Sequence, residues 1–521
     1  MDTNTTDRTQ DTVVAFLSNP ATFGPGVATV ERQETHISHV FLGGDRALKL
    51  KRAVTYPYLD FSTVEKRKAA CEAEVAINRR TAPGIYRAVV AVVRRRDGAL
   101  ALGGEGEVID WVVDMARFDE AQLLDRLAQQ GALGRRLMER LSDEIAVFHR
   151  NAEPRPRDDG HGSFVQTVEG NAATFAEFGP GILDMDRVAD LTAALGQAIG
   201  EHAGLLDRRA QSGFVRHCHG DLHLRNIFLD ATGRPVLFDA IEFNTLFAEI
   251  DVLYDVAFLW MDLEHRGLRR LANVSMNRYL DATATGAGED GGIALVPMLL
   301  ALRASIRAHV NATAAARSGD PTQASGLKAE AKSYLDLALA SLAPPPPRLI
   351  ATGGLSGSGK SRMARELAPL VGLAPGARVV RSDSLRKRIA GVGLLERLGP
   401  DGYGVDMTAQ TYKAVYDTTR AVLRAGRSVI ADAVFARPEQ RAAIEAVARE
   451  EGVPFCGLWL EADPAIMAER AETRTANVSD AGADVVRLQL DYDLGEIGWA
   501  RIDSSGTRAA TLALGRAETG L

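Results

Sequence analysis

Cysteine is scarce in this chain, and the placement of the three cysteines excludes two kinds of site. Cys71, Cys218 and Cys456 lie far apart in the sequence and form no CxxC pair. An odd number of widely separated cysteines argues against a disulfide framework, and a paired-cysteine zinc site has no ligands to start from. The sequence therefore predicts a protein of a reducing compartment, the cytoplasm.

The sequence also lacks a basic excess and a long apolar run. Its formal net charge is -7, whereas a general nucleic-acid binder normally carries an excess of Lys and Arg. The N-terminal stretch "MDTNTTDRTQDTVVAF" is polar and acidic, unlike a signal peptide. Because no uninterrupted apolar run approaches the length of a membrane span, we expect no membrane association.

The length of 521 residues exceeds what one hydrophobic core usually supports, so several domains are expected. Four consecutive prolines at 344–347 favour a stiff, extended linker. Helical periodicity precedes them, and strands alternating with helices follow. We predict an N-terminal segment (1–26), a small β-rich lobe (27–118), a large helical lobe (119–341), a linker (342–348) and an α/β domain (349–521).

The motif "GLSGSGKS", at 354–361, predicts a phosphate-binding loop. It fits G-x-x-x-x-G-K-[ST] and stands between a predicted strand, "RLIAT", and a predicted helix. Glycines let the backbone wrap a phosphate closely, while the N–H groups and the helix N-terminus supply positive potential. Lys360 is predicted to reach the outer phosphates and Ser361 to hold Mg²⁺. The predicted nucleotide-binding residues of the loop are Gly354, Ser356, Gly357, Ser358, Gly359, Lys360 and Ser361.

Two aspartates are predicted to lie beside this loop. Asp383 is placed at the end of a second strand, before a helix carrying Arg386, and Asp432 at the end of a third. Alternating strands and helices predict a parallel sheet, and open α/β sheets bind ligands at the carboxyl ends of their strands. Capping of strand ends is the alternative role for both aspartates.

This part of the chain resembles the small P-loop kinases: gluconate kinase, adenylylsulfate kinase and the kinase domain of polynucleotide kinase. The resemblance implies that Asp383 positions or deprotonates the acceptor and that Arg386 binds it. The stretch "ERAETRTANVSDA" resembles their lid and implies that Arg470 and Arg474 face the transferring phosphate, unless they lie on a solvated helix face. Asp432 is predicted to join Ser361 as a Mg²⁺ ligand.

A second set of polar residues centres on "HGDLHLRN", at 219–226. Asp221 and Asn226 stand five apart, and Asp239 follows Asn226 by thirteen residues, at the end of "PVLFD". A carboxylate, a carboxamide and a second carboxylate are the layout of a Mg²⁺-dependent phosphotransferase. The first orients the acceptor hydroxyl, and the other two offer the hard oxygen ligands that Mg²⁺ prefers.

The motif HGDxHxxN resembles the aminoglycoside phosphotransferase and choline kinase branch of the protein-kinase-like fold. The resemblance implies that Asp221 is the catalytic base and that Asn226 and Asp239 bind Mg²⁺. The fold also needs a lysine paired with an acid, for which we favour Lys49 over Lys51 and Glu74 over Glu72. Backbone groups around Met115, from Asp114 to Ala116, are expected to hold adenine. No GxGxxG loop precedes the lysine strand.

Two other chemistries, zinc binding and serine hydrolysis, are less compatible with these residues. A zinc site would use His217, His219 and His223, but Gly220 and the strand "IFLD" argue against one helix presenting them. A serine hydrolase needs G-x-S-x-G, and "GLSGS" fails at its fifth position. The histidines are therefore predicted to brace the loop through hydrogen bonds.

Nearly the whole chain resembles a bacterial family described as bifunctional aminoglycoside phosphotransferase-like and ATP-binding. The predicted fold is multidomain: an α+β bilobal protein-kinase-like domain followed by an α/β P-loop domain with a parallel sheet. The resemblance implies an ATP- and Mg²⁺-dependent enzyme with two nucleotide sites. Each would phosphorylate a hydroxyl of a sugar, an aminoglycoside or a nucleoside, in series in one version of the hypothesis.

The sequence allows alternatives for the acceptor and for the role of the whole protein. The acidic residues between 239 and 255 suit a cationic or polyhydroxyl acceptor, or serve as caps and metal ligands. The alternatives to a two-site enzyme are an ATP-sensing regulator and a nucleic-acid 5′-hydroxyl kinase activity in the C-terminal domain. A nucleic acid is thus the less favoured partner. The sequence does not decide between ATP and GTP, nor does it give the oligomeric state.

Overall fold

The structure is a computed structural model that describes residues 3–56, 59–283, 289–472 and 483–521. The contacts of the chain group into two compact units. The first unit comprises Met1–Leu133, Val147–Asp158 and Arg208–Phe258, and the second comprises Gly134–Ala146, Asp159–Asp207 and Leu259–Leu521. Each unit holds one of the two predicted sets of functional residues.

An antiparallel sheet forms the core of the first unit. Among the described residues it has six strands in the order β1-β2-β3-β8-β6-β7. Apolar side chains alternate along the strands, so both faces of the sheet are apolar. One face packs on the helix that follows β5, and the other packs on the N-terminal helix. The strands of this unit are β1 (Glu31–Glu34), β2 (Ser38–Gly43), β3 (Arg46–Lys51), β4 (Thr55–Tyr56), β5 (Leu59–Asp60), β6 (Tyr86–Arg94), β7 (Leu100–Leu102) and β8 (Glu107–Ala116).

The helices of this part are α1 (Thr3–Leu17), α2 (Val64–Asn78) and α3 (Leu124–Gln129). The Thr63 side chain caps α2 by accepting from the N–H of Lys66. Buried residues of α1, Val13 and Leu17, share an apolar cluster with Phe41 of the sheet. The segment predicted at 1–26 thus contains a helix that contributes to the core of the small lobe.

Short strands and one short helix follow in the rest of the first unit. Two antiparallel pairs, β10–β11 and β9–β12, support the loops on either side of "HGDLHLRN". The elements are β9 (Val215–His217), β10 (Ile227–Leu229), β11 (Pro235–Leu237), α7 (Thr245–Ala248) and β12 (Glu249–Asp251). The sequence predicted β10 and β11 but not the pair formed by β9 and β12.

Long helices make up much of the remaining chain before the proline run. They are α4 (Arg135–Asn151), α5 (Gly162–Phe178), α6 (Met185–Gln211), α8 (Val252–His265), α9 (Arg269–Thr283), α10 (Val296–Arg317) and α11 (Pro321–Ser341). The segment Gly291–Arg317, which includes α10, is long and apolar enough on average to cross a membrane, although Arg303 and Arg307 interrupt its apolar run. However, 67% of its apolar window is buried inside the protein, as in the core helix of a soluble protein.

A parallel sheet carries the phosphate-binding loop in the second unit. In the described part of this unit it has five strands in the order β14-β15-β13-β16-β17. Its strands are β13 (Leu349–Gly353), β14 (Arg378–Arg381), β15 (Val429–Asp432), β16 (Phe455–Glu461) and β17 (Ala500–Asp503). Its helices are α12 (Lys360–Leu367), α13 (Ser382–Ile389), α14 (Val405–Arg424), α15 (Pro438–Glu450), α16 (Pro464–Glu472), α17 (Ala483–Leu490) and α18 (Arg508–Thr519).

One predicted element boundary was wrong. The second strand of this sheet ends at Arg381, and Asp383 lies in the first turn of α13 instead of at the end of the strand. The run Ser382–Asp383–Ser384 consists of residues that favour helix starts, and a carboxylate in the first turn is stabilised by the helix dipole. Asp432 does end its strand, as predicted.

A buried carboxyl on α8 gives the second unit a pH-dependent stability. Burial raises the pKa of Glu264 to about 7, against the attraction of Arg269 and Arg427. A folded-state pKa above the unfolded value stabilises the protein at low pH, and this contribution is lost as the pH rises toward 7. The free energy of unfolding of Glu264→Gln, relative to that of the parent, should rise by roughly 2–3 kcal/mol between about pH 5 and about pH 8. Urea unfolding at the two pH values measures this difference. Parallel pH profiles for the two proteins would contradict this assignment.

Candidate active sites

Lys49 lies at the centre of a charged cluster in the first unit. Its Nζ lies 2.7 Å from Glu74 Oε1 and 2.7 Å from Asp239 Oδ1. Strand β3 presents the lysine, α2 presents the glutamate and the segment after β11 presents the aspartate. The alternative acid, Glu72, lies on the exposed side of α2, where it pairs with Lys68 at 3.7 Å.

Lys51 forms a second ion pair on the same side of β3, because residues two apart on a strand share a face. Its Nζ lies 2.5 Å from Glu74 Oε2 and also pairs with Glu242. Both lysines therefore share Glu74, and each has a further acid from the segment 239–242. Sequence reasoning offered Lys51 only as a substitute for Lys49 and assigned no structural partner to Glu242.

The charge state of this cluster follows from burial and pairing. Burial would lower the pKa of Lys49, but the carboxylates of Asp239 and Glu74 outweigh it and raise that pKa well above its ordinary value. Burial would raise the pKa of Glu74, but Lys49 and Lys51 lower it to about 2. Burial raises the pKa of Glu242 despite its pairing with Lys51. At neutral pH the cluster thus holds two lysine cations fixed by carboxylates.

The backbone around Asp239 is held in an uncommon conformation. Asp239 has φ 61°, in the left-handed region that only a few per cent of residues other than glycine occupy. Its N–H donates to the Tyr86 hydroxyl at 3.1 Å, and the next N–H, of Ala240, donates to Asn78 Oδ1 at 2.8 Å. These contacts to β6 and α2 fix the carboxylate toward Lys49, and no local sequence pattern marks either contact.

The loop of "HGDLHLRN" is anchored by a buried aspartate. The carboxylate of Asp255, on α8, accepts from the N–H groups of His219 and Gly220 at 3.0 and 2.8 Å and from His149 Nε2 at 3.0 Å. Gly220 has φ 83°, and a Cβ there would lie 2.7 Å from the carbonyl oxygen of Phe247, so no other residue fits. Neither His149 nor Asp255 was singled out from the sequence as a support for this loop.

Asp221 and Asn226 are in direct contact. Asn226 Nδ2 donates to Asp221 Oδ2 at 2.8 Å and to the Asp221 carbonyl at 2.9 Å. His223 Nε2 lies 3.3 Å from the same carboxylate oxygen of Asp221. The Asn226 carbonyl accepts from the N–H of Phe238, which places Asp239 one residue beyond that bond. The structure therefore brings the three predicted polar residues into one hydrogen-bonded neighbourhood.

His219 and His223 form hydrogen bonds within this region of the chain. The ring of His219 is buried, and its Nε2 lies 2.9 Å from the carbonyl of Phe238. The metal-capable groups found among the described residues are His149 with Cys218 and Asp255, and Asp159 with His161 and Asp207. Neither group unites two of the three histidines considered for zinc. In the first group, Asp255 is already bound by two backbone N–H groups.

The backbone around Met115 is largely committed to the sheet. Met115 pairs with Ala47 and Tyr86 in neighbouring strands, and the N–H of Ala116 donates to the Ile85 carbonyl at 2.8 Å. The Ala116 N–H is therefore not left for a base, which corrects part of the expected adenine contact. The side chain of Met115 is buried in an apolar cluster with Phe228.

Three aromatic rings adjoin that cluster and were missed in the sequence. Phe118 stacks on Phe228 with ring centroids 4.4 Å apart, and Phe238 contacts Phe118 edge-on at 5.0 Å. Phe118 follows β8, Phe228 lies on β10 and Phe238 precedes Asp239. An apolar, aromatic surface next to the lysine and metal-binding candidates suits a purine base.

In the second unit, the phosphate loop opens into a pocket of about 590 Å³. Lys360 and Ser361 line it at the start of α12, together with Gly357 and Gly359. A Cβ at Gly357, which has φ 86°, would lie 2.3 Å from the Met467 carbonyl oxygen, so glycine is required there. The other lining residues are Arg270, Arg362, Met363, Arg365, Glu366, Arg470, Ser504, Gly506, Arg508, Ala509, Thr511 and Leu512.

The electrostatics of this pocket favour an anion. Five arginines line it. Burial, followed by the nearby charges of Arg381 and Arg135, lowers the pKa of the Arg365 guanidinium to about 10, so this group is crowded by other cations but still charged at neutral pH. A concave surface lined by cations on a helix N-terminus is suited to a polyphosphate.

Side chains outside the motif hold the loop in place. Ser504 Oγ donates to the Ser358 carbonyl at 2.6 Å, and Arg470 Nη2 donates to the Ser504 carbonyl at 2.8 Å. The N–H of Ser356 donates to Gln489 Oε1, on α17, at 2.7 Å. Gln489 and Ser504 were missed because nothing in their local sequence marks a loop contact. Arg474, predicted to face the phosphate with Arg470, lies outside the described residues.

Three residues line up at the carboxyl ends of neighbouring strands. Thr352 of β13 pairs with Asp432 of β15, which pairs with Arg381 of β14. Arg381 Nε donates to Asp432 Oδ2 at 3.3 Å. Asp432, the predicted metal ligand, therefore lies at the carboxyl ends of the strands, where the phosphate loop begins. Arg381 donates to one of its two carboxylate oxygens.

The predicted acceptor-binding residues occupy different settings on α13. Asp383 lies in its first turn, beside Ser384. Arg386 is buried, donates to the Gly402 carbonyl at 2.9 Å and stacks over the Tyr403 ring at 5.0 Å. In this structure Arg386 thus contacts the segment 402–403, and its role in binding an acceptor stays a prediction.

The oxygen donors in both units fit Mg²⁺. In the first unit, Asn226 and Asp239 offer hard oxygen ligands, and the Asp239 side chain is 43% exposed, which leaves room for a hydrated cation. In the second unit, Asp432 Oδ1 is buried and, among the described residues, has no hydrogen-bond partner. An orphaned buried carboxylate oxygen is costly unless a ligand completes it, and Ser361 in the adjoining pocket is the other donor predicted there.

Comparison with known proteins agrees with the two-part organisation. Residues 58–289 match the family model described as phosphotransferase enzyme family, and residues 349–493 match the model described as AAA domain. Uncharacterized proteins of Mycobacterium bovis and Mycobacterium tuberculosis are each 29% identical over 521 residues, covering 98% of this chain and 97% of the relative. These relatives carry no described activity to compare.

Solved structures of other proteins are similar to portions of this chain. A choline/ethanolamine kinase family protein from Mesorhizobium loti is 15% identical and covers 64% of this chain and 99% of its own, with a TM-score of 0.37. A gluconokinase from Sinorhizobium meliloti is 20% identical and covers 33% of this chain and 92% of its own, with a TM-score of 0.24. The chain thus contains one part that matches the phosphotransferase enzyme family model and a later part that matches the AAA domain model, and it is an ATP-dependent kinase.

Proposed function

We propose that this protein is a bifunctional phosphotransferase, with one ATP site in each unit and a small hydroxyl compound as each acceptor. The observation that carries the proposal is the contact of Lys49 with both Glu74 and Asp239, each at 2.7 Å. A lysine fixed between a helix acid and a metal-binding acid is the arrangement that phosphoryl transfer in protein-kinase-like sites requires. The feature that favours transfer over nucleotide binding alone is the Asp221 carboxylate, which Asn226 holds at 2.8 Å.

In the first site, each side chain has a role that its contacts support. Lys49 holds the α- and β-phosphates of the nucleotide, and Asp221 orients the acceptor hydroxyl and accepts its proton. Asn226 and His223 orient the Asp221 carboxylate through contacts of 2.8 and 3.3 Å. Asn226 and Asp239 would hold Mg²⁺, which when bound neutralises charge on the phosphates.

In the second site, the backbone of 354–361 cradles the phosphates and Lys360 reaches the outer ones. Asp383 orients the acceptor, and Ser361 with Asp432 would hold Mg²⁺. Arg470, tied to Ser504 beside the loop, faces the transferring group. Positioning and charge stabilisation account for most of the catalysis in reactions of this kind, so these groups suffice without a covalent intermediate.

The acceptors are proposed only by class: a sugar, an aminoglycoside or a nucleoside. The acidic residues 239–255 do not select among these classes, because several of them are engaged in ion pairs within the protein. Asp251 pairs with Arg209 at 2.7 Å, Glu249 with Arg155 at 2.9 Å, and Glu242 with Lys51. The covalent linkage of two kinase sites is compatible with action in series, in which the second site phosphorylates the product of the first.

Removal of the P-loop lysine tests the second site. Lys360→Ala should lower transfer at that site by about 10²-fold, the effect of deleting one charge-stabilising group, while transfer by the first site is unchanged. The measurement is the one-phosphate mass shift of a panel of acceptors with ATP and the full-length protein. Lys413→Ala, which removes a lysine on α14 that is 78% exposed, is the matched control. Unchanged transfer to every acceptor in Lys360→Ala would exclude a second active site.

A further inference from the structure

One face of α9 is bonded to the edge strand of the P-loop sheet. Asn273, Asn277 and Asp281 are spaced by four residues and therefore lie on the same side of this helix. Asn277 Oδ1 accepts from the N–H of Val379 at 2.7 Å, and Nδ2 of both asparagines donates to the Ala377 carbonyl, at 3.1 and 3.2 Å. The helix precedes the proline run, whereas the strand follows it.

These contacts resemble the bonds of a neighbouring strand. β14 is the outermost strand on its side of the sheet, so one row of its backbone groups lacks a strand partner. A carboxamide offers one acceptor and two donors. Here the Asn277 carboxamide accepts from the N–H of Val379, in the strand, and donates to the carbonyl of Ala377, just before the strand. The helix is therefore bonded specifically to β14 as well as packed on it.

Asp281 extends this bonding from the strand to the helix that carries Asp383. Its Oδ1 accepts from Arg378 Nη2 at 2.6 Å, and its Oδ2 accepts from Ser384 Oγ at 2.8 Å. The Asp281 and Arg378 side chains are only 10% and 2% exposed. Burial would raise the pKa of Asp281, but Arg378 and the two hydrogen bonds lower it, so the group is a fixed anion.

We propose that α9 is a working part of the second active site, in which Asp281 is the positioning residue that holds Asp383 through Ser384. The inference rests on the function proposed for that site. Ser384 immediately follows Asp383 in the first turn of α13, where few backbone bonds fix the helix. A bond from a buried anion to Ser384 therefore sets where the neighbouring carboxylate stands.

The direct test separates the link from the ion pair. Ser384→Ala removes the bond to α13 but keeps the pair of Asp281 with Arg378, whereas Asp281→Asn weakens both. Both variants are measured in full-length protein that also carries Asp221→Asn, which silences the first site. We expect the kcat of Lys360-dependent ADP release to fall roughly 10-fold in each, because a small misplacement of a catalytic group lowers the rate strongly. The KM for ATP should change by less than about 2-fold, since the phosphate loop is untouched. The assay contains ATP and a mixed panel of sugars and nucleosides.

A matched control comes from the same helix. Arg278 of α9 donates to Asp143 of α4 at 2.6 and 2.8 Å, in a pair that contacts neither β14 nor α13 in the bonds described. Asp143→Asn should lower the melting temperature without lowering kcat. The inference fails if Ser384→Ala keeps full kcat, or if all three variants lose activity in proportion to stability. If the parent shows no Lys360-dependent turnover, the proposed function of this site fails and the inference with it.

Discussion

Replacing Asp221 with asparagine should lower phosphoryl transfer at the first site by roughly 10²–10⁴-fold, the usual contribution of a positioned acid–base group. Asparagine keeps the size of the side chain and can still accept a hydrogen bond from Asn226, so the loop should keep its shape. It cannot accept a proton from an acceptor hydroxyl. The effect should therefore fall on kcat and leave the KM for ATP nearly unchanged.

The measurement is the rate of phosphate incorporation into whichever acceptor of the panel the parent protein modifies independently of Lys360. Asp230→Asn is the matched control, because Asp230 lies nearby in the sequence, in a turn where it bonds Thr232 and Arg234. A rate within 3-fold of the parent in Asp221→Asn would refute the base assignment. A loss in both variants would indicate damage to the loop instead.

Replacing Lys51 with methionine should destabilise the first unit by about 3–5 kcal/mol, the cost of breaking a buried ion pair from one side. Lys51 is wholly buried and is shared by Glu74 and Glu242. Without it, Glu242 is left as a buried carboxyl whose pKa, already raised by burial, rises further. The variant should therefore recover stability as the pH falls and that carboxyl becomes protonated.

Urea unfolding at several pH values measures this effect. The double variant Lys51→Met with Glu242→Gln should regain most of the loss, because no uncompensated charge remains. Lys68→Met is the matched control in the same lobe, since Lys68 is 45% exposed and its pairing with Glu72 is loose, at 3.7 Å. A loss below about 1 kcal/mol in Lys51→Met, the level of an exposed pair, would contradict a structural role for this lysine.

The parts of the sites that sequence reasoning reached are those encoded in short motifs. The loop 354–361 and the stretch 219–226 fix their backbone locally, through glycines at positive φ and polar residues at set spacing. Their chemistry could therefore be predicted without any knowledge of the tertiary contacts. The lysine strand and its acid were also accessible, because strand and helix periodicity limits the candidates to two on each element.

The parts that were missed depend on contacts between residues far apart in the chain. Lys51 and Glu242 are separated by 191 positions, and His149 and Asp255 by 106. No local pattern marks such pairs, because each residue alone reads as an ordinary surface charge. The boundary of the second strand was missed for a different reason: the favourable start of α13 at Ser382 competes with the apolar run before it.

The amides of Asn273 and Asn277 also bear on how the two proposed activities can be separated. A chain cut within the proline run would lose α9 and expose the bare edge of β14. Unpaired strand edges recruit other chains, so the isolated P-loop part would be prone to self-association. Point substitution, and not truncation, is therefore the route to a protein with a single working site.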